Sequence, residues 1–392
     1  MTRGFTRCLA VLAVLAATPL AAQRVERISD QATAFDTPLP YLTGGRVTPT
    51  AEGPRMGPVT RQWPATYFET AFAGESAGFR IGPGEVHLRI TIDDAPPITL
   101  LRPAPGLYRI DRLAPGAHSL RIDVLNESIA GPTTFGGFLL GEGAFPLPLR
   151  HRRQQIEFIG DSHTLGYGNT SLTRQCTPEE VWLTTDTARG IAPRVAHRFG
   201  ADYQVIAISG RGVVRNYAGK SGATIPEAYP YGLFDQGEPA TGGRWSPQAV
   251  VVGLGTNDFS TTLASGEKWP DRDALYRDFE ASYVQFVRDL RSRHPHAQII
   301  VWVTDSAYGE VVEAAPLAEA LSAGDDRLAF ITVSGLALNG CDYHPSLADN
   351  AIVADAIAVA IAQSGVFAST HSPAAPVTPP APASPAATPL TP

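Results

Sequence analysis

Ser162 follows the apolar run Ile156-Glu157-Phe158-Ile159 through Gly160-Asp161, and it opens a turn that carries Gly166 and Gly168. A serine where a buried strand breaks into a turn has its hydroxyl exposed and its backbone held from below, which suits a nucleophile. One Gly-Asp-Ser triplet is weak by itself, and its company gives it weight. Ser209-Gly210-Arg211-Gly212 ends a second apolar run, Gly255-Thr256-Asn257-Asp258 ends a third, and Asp342-Tyr343-His344-Pro345 lies near the C-terminus. These residue types make a nucleophile, two kinds of oxyanion donor and an acid–base pair.

A serine hydroxyl needs a base. His344 is the best candidate, on a loop just before Pro345 and the last helix. Asp342, two residues earlier, is placed to hold the imidazole tautomer and to stabilise the imidazolium. Attack on an ester carbonyl makes a tetrahedral oxyanion. The candidate donors to it are the Ser162 N–H, the Gly210 N–H and the Asn257 amide, each such donor being worth about 10²–10³ in rate. Other polar residues read differently. Asp161 is expected to accept turn amides, Asp258 to cap the loop after the third strand, and Arg211, Arg215 and Asn216 to fix the second loop. His163 is open between lining the pocket and a buried supporting role. His151, His294 and His296 read as surface, and His87 and His118 fall away from the site.

The elements that must position these residues are legible as two patterns. Residues 24–148 show period-two alternation, as in Glu85–Ile92 (Val86, Leu88, Ile90 and Ile92 on one face) and His118–Leu125 (Leu120, Ile122 and Val124). Gly/Pro turns separate the runs, which reads as a β-sandwich. Phe145-Pro146-Leu147-Pro148-Leu149 marks the boundary. Residues 150–368 alternate helices with continuous apolar runs at Ile156–Gly160, Gln204–Ser209, Ala249–Leu254, Gln298–Thr304 and Leu328–Val333. Continuous runs are the signature of parallel strands buried on both faces, so a doubly wound α/β sheet is expected. In such sheets the site lies beyond the carboxyl ends of the strands. Ser162, Gly210 and Asn257 each follow one of those ends. One helix is expected over 272–293 with Leu275, Phe279, Phe286, Val287 and Leu290 inward. Another is expected after the Ser346–Asp349 capping box, running through Ile352, Ile357 and Ile361.

The 392 residues suffice for two domains, and 44% hydrophobic content supports real cores. A net charge of -7 with no basic patch argues against nucleic acid as a partner. Arg3 and Arg7, the apolar stretch Leu9–Ala17 and the small residues Ala21-Ala22 have the order of a secretory signal over 1–22. No later window is apolar enough to predict a transmembrane helix. Export leaves Cys176 and Cys341, an even pair for which one disulfide is expected, joining the serine and histidine loops. Residues 369–392 are rich in Pro, Ala and Thr and are expected to be disordered.

These blocks resemble the SGNH (GDSL-type) hydrolase superfamily. The segments 156–169, 209–217 and Cys341-Asp342-Tyr343-His344-Pro345-Ser346 resemble carbohydrate esterase family 2 in particular. The resemblance covers residues 24 to about 365. It implies an N-terminal jelly roll followed by an SGNH-type, flavodoxin-like domain, and an activity that removes O-acetyl groups from polysaccharides such as xylan and glucomannan. It also implies nucleophile Ser162, base His344, and oxyanion donors Ser162, Gly210 and Asn257. Two departures stand out. The superfamily's acid lies three residues before its histidine, whereas Asp342 lies two before, and some family 2 members use a backbone carbonyl instead. His163 stands where Ile is commoner. The leading expectation is an exported acetylxylan esterase-like serine hydrolase needing no cofactor or metal, with acetylated carbohydrate as its only implied partner. A lipase-like or cell-wall O-acetyl esterase is the alternative within hydrolases. A non-catalytic carbohydrate-binding protein is the alternative outside them; Trp63, Tyr67 and Phe68 fit an exposed glycan surface and a buried core equally well.

Overall fold

The computed structural model describes residues 23–30, 33–49, 54–234, 236–240, 245–304, 318–321 and 324–367. The expected signal over 1–22 and the tail over 369–392 lie outside the described residues.

The N-terminal part folds as two antiparallel sheets. One runs Arg24–Ile28, Gly106–Asp111, Ala77–Ile81, Thr133–Leu140, Val59–Arg61, Val47–Thr48, with Pro38–Leu39 added beside Thr133–Leu140. The other runs Phe145–Pro146, Tyr67–Ala73, Ala117–Val124, His87–Ile92, Ile98–Leu101, with Leu42–Gly44 beside Tyr67–Ala73. The alternation read from sequence sets the register. Leu120 pairs with Ile92, Ile122 with Ile90 and Val124 with Leu88, so all six point into one core. Phe68 from one sheet stacks on Phe135 from the other, with centroids 3.9 Å apart, and Tyr41 meets both edge-on.

The second part is a five-stranded parallel sheet. Its strands are β1 (Gln155–Gly160), β2 (Asp202–Ala207), β3 (Ala249–Gly253), β4 (Gln298–Thr304) and β5 (Leu328–Val333), in the order β2-β1-β3-β4-β5. The order reverses beside β1, the switch point where such sheets hold their ligands. Helices α1 (Ile191–Phe199) and α3 (Leu347–Ser364) cover one face, and α2 (Arg272–Arg293) covers the other. Successive β1 side chains alternate between the two cores, with Ile156 and Phe158 on the α1/α3 side and Ile159 on the α2 side. The expected α2 stripe is buried, with Tyr283 added to it. In α3 the expectation is off by one position. Ile352 is 41% exposed, and Val353 takes the inner place with Ile357 and Ile361, as the 3.6-residue period requires. By length and composition the stretch Cys341–Ser364, which contains α3, could cross a membrane, but the apolar face of α3 packs on α1 and the sheet.

The two parts share their cores. Trp63 is 0% exposed and sits in the α2-side cluster of the α/β domain, against Phe234, with its Nε1–H donating to Tyr231 O at 3.2 Å. Burying a ring of this size is worth roughly 2–3 kcal/mol. Tyr67 and Phe68 are each 1% exposed. Of the two readings open for Trp63, Tyr67 and Phe68, the buried core is the one observed, and the glycan surface is not. His294 is corrected too. It is half-buried, and its Nε2 lies 3.3 Å from Glu157, a fully buried carboxylate that also meets Arg46 at 3.2 Å and the Tyr229 hydroxyl at 3.0 Å. The charge on Glu157 is tolerated because both of its oxygens have polar partners.

Candidate active site

β1 ends at Gly160, and the chain turns directly into a single helical turn, Ser162–Leu165. Asp161 caps it. Its carboxylate accepts the His163 N–H at 2.9 Å, as expected for a turn acceptor. The Ser162 N–H is in the first helical position and has no intrahelical acceptor. Gly166 closes the turn with φ 88. Gly168, at φ 52, packs so closely that an added Cβ would lie 2.4 Å from Cys341 Cβ. Only glycine lets the serine loop and the histidine loop approach this far.

Cys341 and Cys176 form a disulfide across 165 residues. The histidine loop is further pinned by Asp342 N–H to Arg174 O (2.6 Å), Cys341 N–H to Gly168 O (3.3 Å) and Leu347 N–H to Asn169 O (3.0 Å). Asp342 and Tyr343 both take left-handed backbone, with φ 51 and 62. That double turn aims main-chain carbonyls at the imidazole. His344 Nδ1 lies 2.9 Å from Cys341 O and 3.2 Å from Asp342 O. Both are acceptors, so Nδ1 carries the proton and Nε2 presents its lone pair. Ser162 Oγ is 2.8 Å from that Nε2.

The expected role of the Asp342 side chain is corrected here. Its carboxylate does not hydrogen bond to the imidazole. It is exposed, and it accepts the Tyr167 hydroxyl at 3.1 Å. With only one residue between Asp342 and His344, the left-handed turn carries the carboxylate outward and leaves the carbonyl facing the ring.

Burial holds the His344 pKa below the usual histidine value, opposed by the Cys341 and Asp342 carbonyls and by the Asp342 charge. His163 packs edge-on against it, centroids 5.1 Å apart, and burial pushes the His163 pKa down to about 3. A second imidazole thus stays neutral beside the first. Tyr167 lies over His344 at 4.3 Å.

Gly210 follows β2 with φ 79, and its carbonyl accepts the Tyr217 N–H at 2.8 Å. Asn257 follows β3. Its Nδ2 donates to Asp161 Oδ2 and to Arg211 O, both at 2.9 Å. An amide nitrogen has two hydrogens, so both are spent joining the first and second loops. The oxyanion role expected of this amide requires it to give up one of these two bonds. Asp258 is corrected as well. Its buried carboxylate caps the second loop, accepting from the Val213, Val214 and Arg215 N–H groups at 2.8–3.2 Å. Arg215 returns the tie through Glu267 (2.6 Å) and the carbonyls of Asp258, Thr261 and Thr262. The sequence reading left Tyr167 and Glu127 without a role. Tyr167 sits inside a segment already singled out, whereas Glu127 comes from the β-sandwich and had no local signal.

Comparison with known proteins follows the same division. Residues 43–149 match the carbohydrate esterase 2 N-terminal model, and residues 158–367 match the GDSL-like lipase/acylhydrolase family model. An acetylxylan esterase / glucomannan deacetylase of Cellvibrio japonicus is 42% identical over 323 residues, covering 81% of this chain and 89% of that one. The cellulase/esterase CelE of Acetivibrio thermocellus is 31% identical over 76% of this chain and 37% of its own length. A solved structure described as "The active site of a carbohydrate esterase displays divergent catalytic and non-catalytic binding functions" is 38% identical, with TM-score 0.77, covering 84% of this chain and 100% of that one. A family two carbohydrate esterase from Clostridium thermocellum, solved with cellohexaose, is 26% identical with TM-score 0.71, covering 83% and 99%.

Proposed function

The chain belongs to carbohydrate esterase family 2 and is a carboxylic ester hydrolase with a GDSL-like domain, and from that premise we propose that it is an exported enzyme removing O-acetyl groups from xylan- or glucomannan-type polysaccharide through an acetyl-Ser162 intermediate. The observation that carries the reading is the 2.8 Å contact from Ser162 Oγ to an imidazole whose other nitrogen is held by carbonyls.

The Ser162 proton passes to His344 Nε2 as Oγ attacks the acetyl carbonyl carbon. The oxyanion is received by the Ser162 and Gly210 N–H groups. Asn257 joins them only by releasing Arg211 O; otherwise it holds the donor loops together. Collapse breaks the bond to the sugar oxygen, which takes the proton from Nε2. Water then gives a proton to Nε2 and attacks the acetyl-enzyme, and acetate leaves as the proton returns to Ser162. His344 Nδ1–H stays on the Cys341 and Asp342 carbonyls throughout, so the imidazolium is stabilised by main chain where a triad would use a carboxylate.

The test is acetate release from acetylated xylan and acetylated glucomannan, together with 4-nitrophenyl esters of increasing acyl length. Acetate esters should be hydrolysed and longer acyl chains should fail. Octanoate hydrolysis as fast as acetate would favour the lipase-like alternative.

The carbonyl assignment makes its own prediction. Asp342→Asn should keep kcat/KM within about tenfold, whereas losing the carboxylate of a true Ser-His-Asp triad costs about 10⁴. Because the Asp342 charge raises the His344 pKa, the acid limb of the variant's pH profile should move to lower pH. A 10⁴-fold loss would return the catalytic acid to the side chain.

A further inference from the structure

Glu127 belongs to the β-sandwich, three residues beyond its strand Ala117–Val124. Its Oε1 accepts the Ser209 N–H of the α/β domain at 2.7 Å. Ser209 immediately precedes Gly210. The segment that carries Glu127 is fixed on both sides. Before it, Thr187 of the α/β domain grips the strand end through N–H to Leu125 O (3.0 Å) and Oγ1 to Val124 O (2.9 Å). Asn126 is held by the His87 N–H at 2.8 Å and donates to Glu127 O at 3.0 Å. After it, the buried Arg61 donates to Ser128 Oγ at 2.8 Å, and Gln62 to Ser128 O at 3.3 Å. A side chain on so rigid an arm places its acceptor to within the tolerance a catalytic group requires.

The carboxyl is also within electrostatic reach of groups around the site. Its charge is felt by Tyr167, the ring lying over His344, and the carboxyl in turn feels Arg211, one residue beyond Gly210. Burial pushes the Glu127 carboxyl up to about 7, and the Ser209 N–H is the largest influence opposing this. The bond to Ser209 is therefore what compensates the carboxyl for its burial.

We propose that Glu127 is a positioning residue of the esterase site: by accepting the Ser209 N–H it holds the turn that presents the Gly210 N–H to the reacting carbonyl, so that one side of the oxyanion hole is set by the other domain. The Ser209 N–H fixes one peptide plane, Tyr217 fixes Gly210 O, and the Gly210 N–H lies between these two restraints. The inference rests on the serine-esterase reading above.

The test uses the full chain with 4-nitrophenyl acetate and compares Glu127→Ala, Glu127→Asp and Glu127→Gln, with Ser162→Ala as control. Removing an oxyanion donor outright costs about 10²–10³, so loosening one in Glu127→Ala should lower kcat by about 10–100-fold. KM should stay within about twofold, because the loss falls on the transition state. Glu127→Asp, which keeps the charge but falls short of Ser209, should lose kcat in the same way, and it covers the case in which the alanine variant does not fold. Glu127→Gln retains an acceptor of the same reach and should stay within about threefold of wild type. Wild-type kcat in Glu127→Asp, or a loss in Glu127→Gln as large as in Glu127→Asp, would overturn the proposal. Activity surviving in Ser162→Ala would instead remove the esterase reading beneath it.

Discussion

Ser162→Ala should lower acetate release by about 10⁴-fold or more while leaving the unfolding midpoint close to wild type. The size of the loss follows from the number of steps that use Oγ. It attacks the acetyl carbon, carries the acetyl group and is the leaving group in deacylation. Without it, His344 can only activate water against a carbonyl placed for a different nucleophile. The near-constant stability follows from the hydroxyl's surroundings, since its hydrogen-bond partner is His344 Nε2 and the backbone turn is held by Asp161, Gly166 and the Ser162 carbonyl. Acetate assays on purified wild type and variant, with thermal unfolding beside them, decide the matter. Retained acetate release would mean that another nucleophile is at work, and a collapsed unfolding midpoint would mean that the serine is structural.

The second large effect belongs to His344. His344→Gln should cost about 10⁴ in kcat/KM, because glutamine cannot take up and return a proton. The wild-type pH profile carries the same information with a sign. The base must be neutral to accept the Ser162 proton. Burial, outweighing the Cys341 and Asp342 carbonyls, holds the pKa of His344 below its ordinary 6.5, so the neutral form persists to lower pH. The acid limb of kcat/KM for 4-nitrophenyl acetate should then be half-maximal below 6.5. The residual activity of His344→Gln should lack that limb. His163, held neutral down to about 3, should contribute no inflection in the working range. A limb at or above 6.5, or one that survives in His344→Gln, would assign the titration elsewhere.

Much of the fold was legible because it is written in short-range patterns. Period-two alternation in 85–92 and 118–125 and the continuous runs at 156–160, 249–254 and 298–304 each depend on residues within one element. A parallel doubly wound sheet then brings the ends of β1, β2 and β3 to one edge, whatever the loops do. Ser162, Gly210 and Asn257 were nameable as neighbours for that reason, and His344 through the loop before the last helix.

The remainder depended on contacts between distant segments. The partner of His344 Nδ1 is decided by the left-handed backbone at Asp342 and Tyr343, and that turn is held by Arg174 O, Gly168 O and the disulfide to Cys176. Nothing near His344 in the chain reveals whether a carboxylate or a carbonyl will face the ring. Asn257 could be recognised as an amide donor, but not that its hydrogens go to Asp161 and Arg211. Trp63 looked equally fit for a glycan surface or a core, and only docking the sandwich on the sheet put it inside the other domain. The sequence by itself determined the two architectures, the edge where the chemistry gathers and the residue types present there. The tertiary structure alone decided which atoms of those residues face one another, because hydrophobic periodicity is local while hydrogen-bond direction is set by whichever distant backbone comes to lie alongside.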